Sequence, residues 1–301
     1  MRNIVFIHGR AQQDHDPDQL KSNWIDAWET GLRKGGRSLD IPHDRIRFPY
    51  YGDTLRDLTQ GRDGEDVADI IVRGAQEDDE VREMLAEILE EVRTAHRIGD
   101  DEIVREMERL GGAGDAEILE RGPQNWRWVR AILRAVDSHV PGGGALVSLV
   151  TRDAYLYVTQ RRLRERIEDG VLEAFDRNGE NVVLAHSLGS IVAYTLFQRL
   201  QVDGAALRIP QLITIGSPLG IRAIRTRLER GRRPDWLGRW FNAFDPQDVV
   251  SLYPLDAKHF PDDPRIENKS DVDNRTSNQH GIAGYLADPV VAARLYEAAT
   301  A

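Results

Sequence analysis

The chain of 301 residues contains no cysteine. Disulfides, thiolate catalysis and cysteine-ligated metal sites are therefore excluded. No apolar run approaches the roughly 20 residues that a membrane-spanning helix needs, so we expect no stable membrane span. A core strand that begins at Ile4 argues against a signal peptide at the N-terminus. The simplest location that these absences predict is the cytoplasm.

Basic residues are fewer than acidic residues. Lysine and arginine together number 40 against 50 acidic residues, which gives a net charge of −10. A chain with this charge repels the nucleic-acid backbone, so we expect no general nucleic-acid binding. The acidity is concentrated in residues 53–121, which hold 22 acidic residues and nine arginines, whereas the remainder carries a net charge of about +3.

The most informative motif is Ala185-His186-Ser187-Leu188-Gly189. The apolar run 181–185 before it is typical of a buried strand, and the apolar run 191–197 after it is typical of a core helix. A serine on a sharp strand-to-helix turn, with small residues two positions away on either side, is a nucleophile elbow. Its successor, Leu188, offers a backbone N–H to an oxyanion. The alternative is a glycine-containing turn in an ordinary βα unit, which the flanking pattern disfavours.

A nucleophilic serine in this context needs an acid and then a histidine further along the chain. Asp245 and Asp248 both follow a predicted strand at 240–245, and we prefer Asp248 because Asp245, before a proline, suits the acceptor position of a turn. His259 lies only eleven residues beyond Asp248, which leaves little chain for a separate loop. We therefore prefer His280, in a polar loop that runs into a helix.

The second oxyanion donor is predicted near the N-terminus. The buried strand Ile4-Val5-Phe6-Ile7 is followed directly by His8-Gly9-Arg10. Glycine lets the backbone approach a substrate oxygen closely, and the donor is the N–H of Gly9 or of Arg10. His8 itself needs only to be a packed, hydrogen-bonded histidine.

Taken together, these motifs resemble α/β-hydrolases of the serine esterase and lipase type. The resemblance covers residues 1–52 and about 145–301, and it rests on His8-Gly9, Ala185–Ser190, Ile213-Thr214-Ile215-Gly216-Ser217-Pro218-Leu219-Gly220, Trp240–Asn242 with Asp245–Val250, and His280 with Tyr285-Leu286. It implies Ser187 as nucleophile, His280 as base and Asp248 as the orienting acid, without a cofactor. Two departures are Ala185 in place of the first motif glycine and the lack of one or two antiparallel edge strands.

The fold class that follows is α/β, with the α/β-hydrolase fold. A mostly parallel sheet is predicted from strands near 3–8, 45–51, 181–186, 211–216 and 240–245, with helices on both faces. Residues 1–52 and 122–301 form the core in this interpretation, with helices near 124–140 and 145–176.

Residues 53–121 form an inserted acidic segment with helices near 65–97 and 101–110. It enters at the carboxyl end of a predicted parallel strand, so it should lie near the active-site face. The alternatives are a helical excursion packed on the core, a cap, or an arm through which the chain forms a homo-oligomer.

Two other charged patterns have simpler interpretations. The segments 14–18 and 271–274 look like metal-binding loops, but the second lacks the glycine and the final glutamate of a calcium loop, so turns and caps are expected and no metal. Six arginines between 222 and 233 could attract an anionic group, although such a run is more often a solvated surface.

The predicted function is that of a serine hydrolase that cleaves carboxylic esters through an acyl-enzyme, with a small-molecule or lipid ester as substrate. The alternatives are a lipase, phospholipase or acyltransferase with the same three residues, or a non-catalytic binding scaffold.

Overall fold

The computed structural model describes residues 1–9, 16–52, 79–110, 126–229, 231–261 and 265–301. Its centre is a six-stranded parallel sheet with the strand order β2-β1-β3-β4-β5-β6. The strands are β1 (Asn3–Ile7), β2 (Ile46–Arg47), β3 (Glu180–His186), β4 (Arg208–Ile215), β5 (Leu237–Ala243) and β6 (Glu267–Lys269). The α/β class is therefore confirmed, with every strand pair in the described residues parallel.

Helices cover both faces of the sheet. In chain order they are α1 (Pro17–Lys34), α2 (Asp79–Ala95), α3 (Asp100–Arg109), α4 (Trp126–His139), α5 (Gly143–Thr159), α6 (Arg161–Leu172), α7 (Leu188–Val202), α8 (Arg222–Arg225), α9 (Ile282–Leu286) and α10 (Pro289–Thr300). Short 3-10 turns occupy His43–Arg45 and Pro218–Gly220. Within the described ranges, no helix is long and apolar enough to cross a bilayer.

Alternation along the strands assigns each side chain to a face. Val5 and Ile7 of β1 pack in one apolar cluster together with side chains of α2–α8, whereas Ile4 and Phe6 pack in a second cluster with α1, α9 and α10. This period of two is what a strand buried on both sides requires. The predicted strands β1, β3, β4 and β5 all form, with shifted ends.

Three local predictions differ from the structure. The expected strand 45–51 is reduced to two residues, because Pro49 has no N–H for the ladder. The expected helix 145–176 breaks at Gln160, whose ψ of 89° is not helical. That break brings Tyr157 Oη within 2.9 Å of Glu168 Oε1, a contact that a straight helix with a rise of about 1.5 Å per residue does not allow. Strand β6 was not predicted, because its three residues, Glu-Asn-Lys, carry no apolar pattern.

The inserted segment is described over residues 79–110, and residues 53–78 and 111–121 lie outside the described residues. Helix α2 buries Met84, Leu85, Leu89 and Val92 in the same apolar cluster as β1 and β3. Its acidic face contacts α8, where the Glu91 carboxylate accepts from the N–H groups of Arg222 and Ala223. The described part of the segment is therefore packed against the main body.

The strand order creates one crevice. After β1 the chain adds β2 on one side and then returns to add β3 on the other side of β1. Connections that leave neighbouring strands in opposite directions open a space at their carboxyl ends, where open parallel sheets bind ligands. In this protein Gly9 follows β1 and Ser187 follows β3, so both lie at that crevice.

Candidate functional site

Ser187 lies on a strained turn between β3 and α7. Its φ of 54° and ψ of −127° fall in a region that non-glycine residues seldom occupy. The turn brings the start of α7 against β1. The approach is so close that a Cβ placed on Gly189 would lie 2.3 Å from the Ile7 carbonyl oxygen. A glycine is therefore required at position 189, and the elbow geometry follows from the local sequence.

A side chain from one distant loop contacts the serine, and a side chain from a second loop contacts the first. His280 Nε2 lies 2.8 Å from Ser187 Oγ, and His280 Nδ1 lies 2.7 Å from Asp248 Oδ2. All three residues are buried. The structure thus brings Ser187, His280 and Asp248 into one hydrogen-bonded chain.

The Asp248 carboxylate is well supplied with donors. Oδ1 accepts from Val250 N at 2.8 Å, and Oδ2 accepts from the Ser251 hydroxyl at 2.7 Å and from Tyr285 Oη at 2.6 Å, in addition to His280. Burial alone would raise the pKa of Asp248, but the charge of His280 and these hydrogen bonds outweigh it, so the pKa lies below its usual value. The carboxylate is therefore ionised at neutral pH.

The rival residues have other partners. Asp245 Oδ1 accepts from Gln247 N at 2.8 Å, and Oδ2 accepts from Asn274 N at 2.7 Å. Burial raises the pKa of Asp245, and these N–H groups only partly offset that effect. Asp245 therefore accepts turn N–H groups, as the sequence suggested.

His259 pairs with Asp256, with 3.0 Å between Nδ1 and Oδ1, and its ring stacks on Tyr253. Neither Asp245 nor His259 is a hydrogen-bond partner of Ser187 or His280 in the described contacts, so the geometry favours Asp248 and His280 over them.

Gly9 lies directly against Ser187. A Cβ at this position would lie 2.8 Å from Ser187 Cβ and 3.1 Å from the His186 carbonyl oxygen, so the approach depends on glycine. Leu188 is the first residue of α7, and the first N–H groups of a helix have no acceptor within the helix. Gly9 and Leu188 therefore flank Ser187, and their role as oxyanion donors stays a prediction, whereas Arg10 lies outside the described residues.

The ring of His8 secures the backbone at Gly9. Its Nε2 accepts from Tyr51 N at 3.1 Å, which leaves Nδ1 to donate to the Gly9 carbonyl oxygen at 2.7 Å. The Tyr51 hydroxyl donates to the His8 carbonyl and the two rings stack. Burial lowers the pKa of His8 to about 4, so the ring is neutral.

Sequence reasoning assigned no role to several residues that contact the site. His186 Nε2 donates to the His280 carbonyl oxygen at 2.9 Å, and burial, together with the charge of His280, lowers the pKa of His186 to about 3. Ser190 Oγ lies 2.6 Å from the Ser187 carbonyl oxygen and 2.7 Å from Ser217 Oγ. His186 and Ser190 are part of the elbow motif, but only the fold shows what they contact.

Two of the arginines after β4 contact the inserted segment. The Arg227 guanidinium lies 2.6 Å from Glu87, and Glu91 accepts from the backbone N–H of Arg222. The first pair neutralises the charge of Arg227, whereas the second engages only the backbone of Arg222, and Arg230 lies outside the described residues. The described ranges hold no group of histidine and acidic side chains arranged for a metal ion.

Comparisons with models of known families, with curated proteins and with solved structures find no match to this chain.

Proposed function

We propose that this protein is a serine hydrolase that cleaves carboxylic esters, with an α/β-hydrolase fold. One observation carries the proposal: the hydrogen-bonded chain from Ser187 through His280 to Asp248, at the crevice of a parallel sheet. The three residues also occur in the order serine, acid, histidine that belongs to this class of enzyme.

The acylation step follows from the contacts. Ser187 Oγ attacks the ester carbonyl carbon while His280 Nε2 takes the hydroxyl proton. Asp248 holds the proton on His280 Nδ1 and stabilises the imidazolium that forms. The tetrahedral intermediate collapses, the bond to the alcohol oxygen breaks, and His280 returns the proton to the departing alcohol.

The oxyanion and the second half-reaction complete the cycle. The N–H of Leu188 and that of Gly9 or Arg10 are the proposed donors to the negative oxygen, and such donors are each worth about 10²–10³ in kcat. His280 then activates a water, which adds to the acyl carbon and releases the acid and Ser187. The cycle balances without a cofactor.

Two other functions use the same residues. A lipase, a phospholipase or an acyltransferase differs in the acyl donor or in the acceptor that replaces water. A non-catalytic binding scaffold is disfavoured because an unused site has no need for the strained Ser187 backbone or for a buried, ionised Asp248.

The inserted segment, residues 53–121, is proposed to cover part of the pocket mouth or to form a subunit contact, without a chemical role. Its helix α2 contacts the segments that follow β4 and β5: Glu91 binds the start of α8, and the Tyr253 hydroxyl donates to the Glu91 carbonyl. Light scattering distinguishes a homo-oligomer from a monomer.

The test of the chemistry is labelling with a fluorophosphonate, which reacts with activated serines. The parent protein should label and hydrolyse p-nitrophenyl esters, and Ser187→Ala should lose both while it stays folded. Ser138→Ala is the matched control, because Ser138 lies on α4 and bonds only the Ala135 carbonyl in the described contacts. Labelling that survives in Ser187→Ala would reject the proposal.

Substrate class is then decided by a series of p-nitrophenyl esters of increasing chain length beside a phospholipid panel. A preference for short acyl chains supports a carboxylesterase, whereas long chains or phospholipids support the lipase or phospholipase alternative. Transfer to an added alcohol faster than to water identifies an acyltransferase.

A further inference from the structure

His280 lies on a loop between β6 and α9 that has no strand ladder to support it in the described structure. The residue before it, Gln279, has a φ of 52°, a strained value for a side chain of this size. An imidazole that must meet Ser187 on one side and Asp248 on the other needs a fixed backbone, so other groups must hold this loop.

His186 holds the carbonyl of His280 itself, and Asn274 ties the residues on either side of His280 together. Asn274 is buried, and its Nδ2 donates to the carbonyl oxygen of Gly281, the residue after His280, at 2.8 Å. Its Oδ1 accepts from the Thr276 hydroxyl at 2.6 Å, and that hydroxyl in turn accepts from Gly281 N at 2.9 Å. Both polar groups of Gly281 are therefore held by the Asn274–Thr276 pair.

Asp245 anchors this pair to the sheet. Asp245 lies two residues beyond the end of β5, and its Oδ2 accepts from Asn274 N at 2.7 Å. The packing around Asn274 is tight, since a Cβ on Gly284 would lie 2.0 Å from Asn274 Oδ1. A displacement of Asn274 would therefore be transmitted to the loop and to the start of α9.

We propose that Asn274, anchored by Asp245, is a positioning residue that sets the His280 imidazole against Ser187. The inference rests on the proposed function. The rejected candidate acid, Asp245, thereby acts on the same reaction, through Asn274 rather than through the histidine ring. A misplacement of about 1 Å in a catalytic group can cost about a hundredfold in rate, so the effect should be measurable.

The test uses Asn274→Asp, which keeps the size and one acceptor oxygen but replaces the donor to Gly281 with a second oxygen that faces its carbonyl. We expect kcat for a p-nitrophenyl ester to fall about 10- to 100-fold with KM changed less than about twofold. Thr276→Val removes only the hydroxyl and should give a smaller fall. It also covers the case in which Asn274→Asp does not fold.

Asn181→Asp is the matched control. Asn181 is also buried and also bridges several groups, with Oδ1 accepting from Asn3 Nδ2 and from Asp176 N, but it lies at the amino end of β3, far from the crevice. It should lower Tm while kcat stays at the parent value. A folded Asn274→Asp or Thr276→Val with the kcat of the parent would overturn the proposal.

A second measurement does not depend on turnover. The proton between His280 Nδ1 and Asp248 Oδ2 should give a low-field NMR signal in the parent and in Asn181→Asp. It should be shifted or lost in Asn274→Asp. An unchanged signal there would refute the positioning role. A parent that shows the signal but neither labels nor hydrolyses esters would instead refute the proposed function alone.

Discussion

Ser187 and Gly9 follow the ends of two strands that are paired through the main chain, whereas His280 and Asp248 lie on separate loops that side-chain hydrogen bonds join. The first pair, the nucleophile half of the site, follows directly from two strands paired residue by residue from Asn3 to Ile7. The second pair, the proton-transfer half, depends on contacts such as that between Tyr285 and Asp248, 37 residues apart. A short sequence motif can therefore specify the nucleophile half, but it cannot specify the proton-transfer half.

The two halves also differ in charge. The nucleophile half contains two buried neutral rings, His8 and His186, whose pKa values are lowered chiefly by burial. The proton-transfer half contains a buried ionised carboxylate, Asp248. Acid should therefore damage the first half through histidine protonation at a higher pH than it damages the second.

The largest expected effect is on stability at low pH. In the unfolded chain both rings take up protons near pH 6.5, but in the folded chain only near pH 4 and pH 3. The stabilisation is complete above pH 6.5 and is lost as the pH falls towards these values, by about 1.4 kcal/mol per pH unit for each ring.

Denaturant unfolding at pH 8.5, 7.5, 6, 5 and 4 measures this dependence. His186→Gln should remove the contribution of one ring below pH 6, while the slopes of variant and parent agree above pH 7. Equal slopes of variant and parent between pH 6 and 4 would contradict the neutral, buried state of His186.

The second effect breaks the proton-transfer half. Asp248→Asn should lower kcat by about a thousandfold or more, roughly 4 kcal/mol of barrier, because the amide favours the wrong histidine tautomer. Asp245→Asn should lower kcat by about tenfold at most, since it only weakens the anchor of Asn274. Steady-state kinetics of the two variants decide the matter, and the reverse ranking would reject Asp248 as the orienting acid.

The same contrast explains what the sequence could predict. Four strands were predicted with ends within three residues of those observed, because a strand buried on both faces leaves a continuous apolar run in the sequence. The elbow at Ser187 and the approach of Gly9 were also predicted, since both depend on a few consecutive residues. Strand β6 and the break at Gln160 left no such trace.

The support of the proton-transfer half was not predictable in the same way. Tyr285 contacts Asp248 across 37 residues and Asn274 contacts Asp245 across 29, gaps that no sequence pattern spans. Ser251 lies only three residues from Asp248, but it is an ordinary polar residue in the printed sequence. Choosing Asp248 and His280 required the order of residues expected for a serine hydrolase. Their partners required the fold.

The third effect breaks the nucleophile half. Gly9→Ala places a methyl group 2.8 Å from Ser187 Cβ and 3.1 Å from the His186 carbonyl oxygen, neither of which can move without moving the elbow. We expect kcat and the rate of phosphonate labelling to fall together by about a hundredfold, as for loss of one oxyanion donor.

Gly170→Ala is the control, because a Cβ there meets no atom outside its own helix within 4 Å and alanine suits a helix interior. A Gly9→Ala variant as active as Gly170→Ala would show that the backbone at Gly9 can relax, and that the nucleophile half is less rigid than the main-chain contacts indicate.

The smallest effect sharpens the comparison, because it removes one of several bonds in the proton-transfer half. Tyr285→Phe deletes the hydroxyl that donates to Asp248 Oδ2 and keeps the buried ring; it also removes the weaker contacts of that hydroxyl with Asp245 N at 3.2 Å and Ser251 Oγ at 3.1 Å. The carboxylate retains Val250 N, the Ser251 hydroxyl and His280, so it should stay ionised at neutral pH although its pKa rises. We expect kcat to fall about tenfold with KM unchanged, the equivalent of one hydrogen bond to a charged group.

Tyr296→Phe is the matched control, since Tyr296 donates to the exposed Asp40 in the same way but far from the site. A thousandfold loss in Tyr285→Phe would mean that Asp248 cannot hold His280 without this bond. No loss would mean that the remaining donors to Asp248 suffice. The hydrogen bonds that hold the proton-transfer half would then be redundant, in contrast to the close main-chain approach at Gly9.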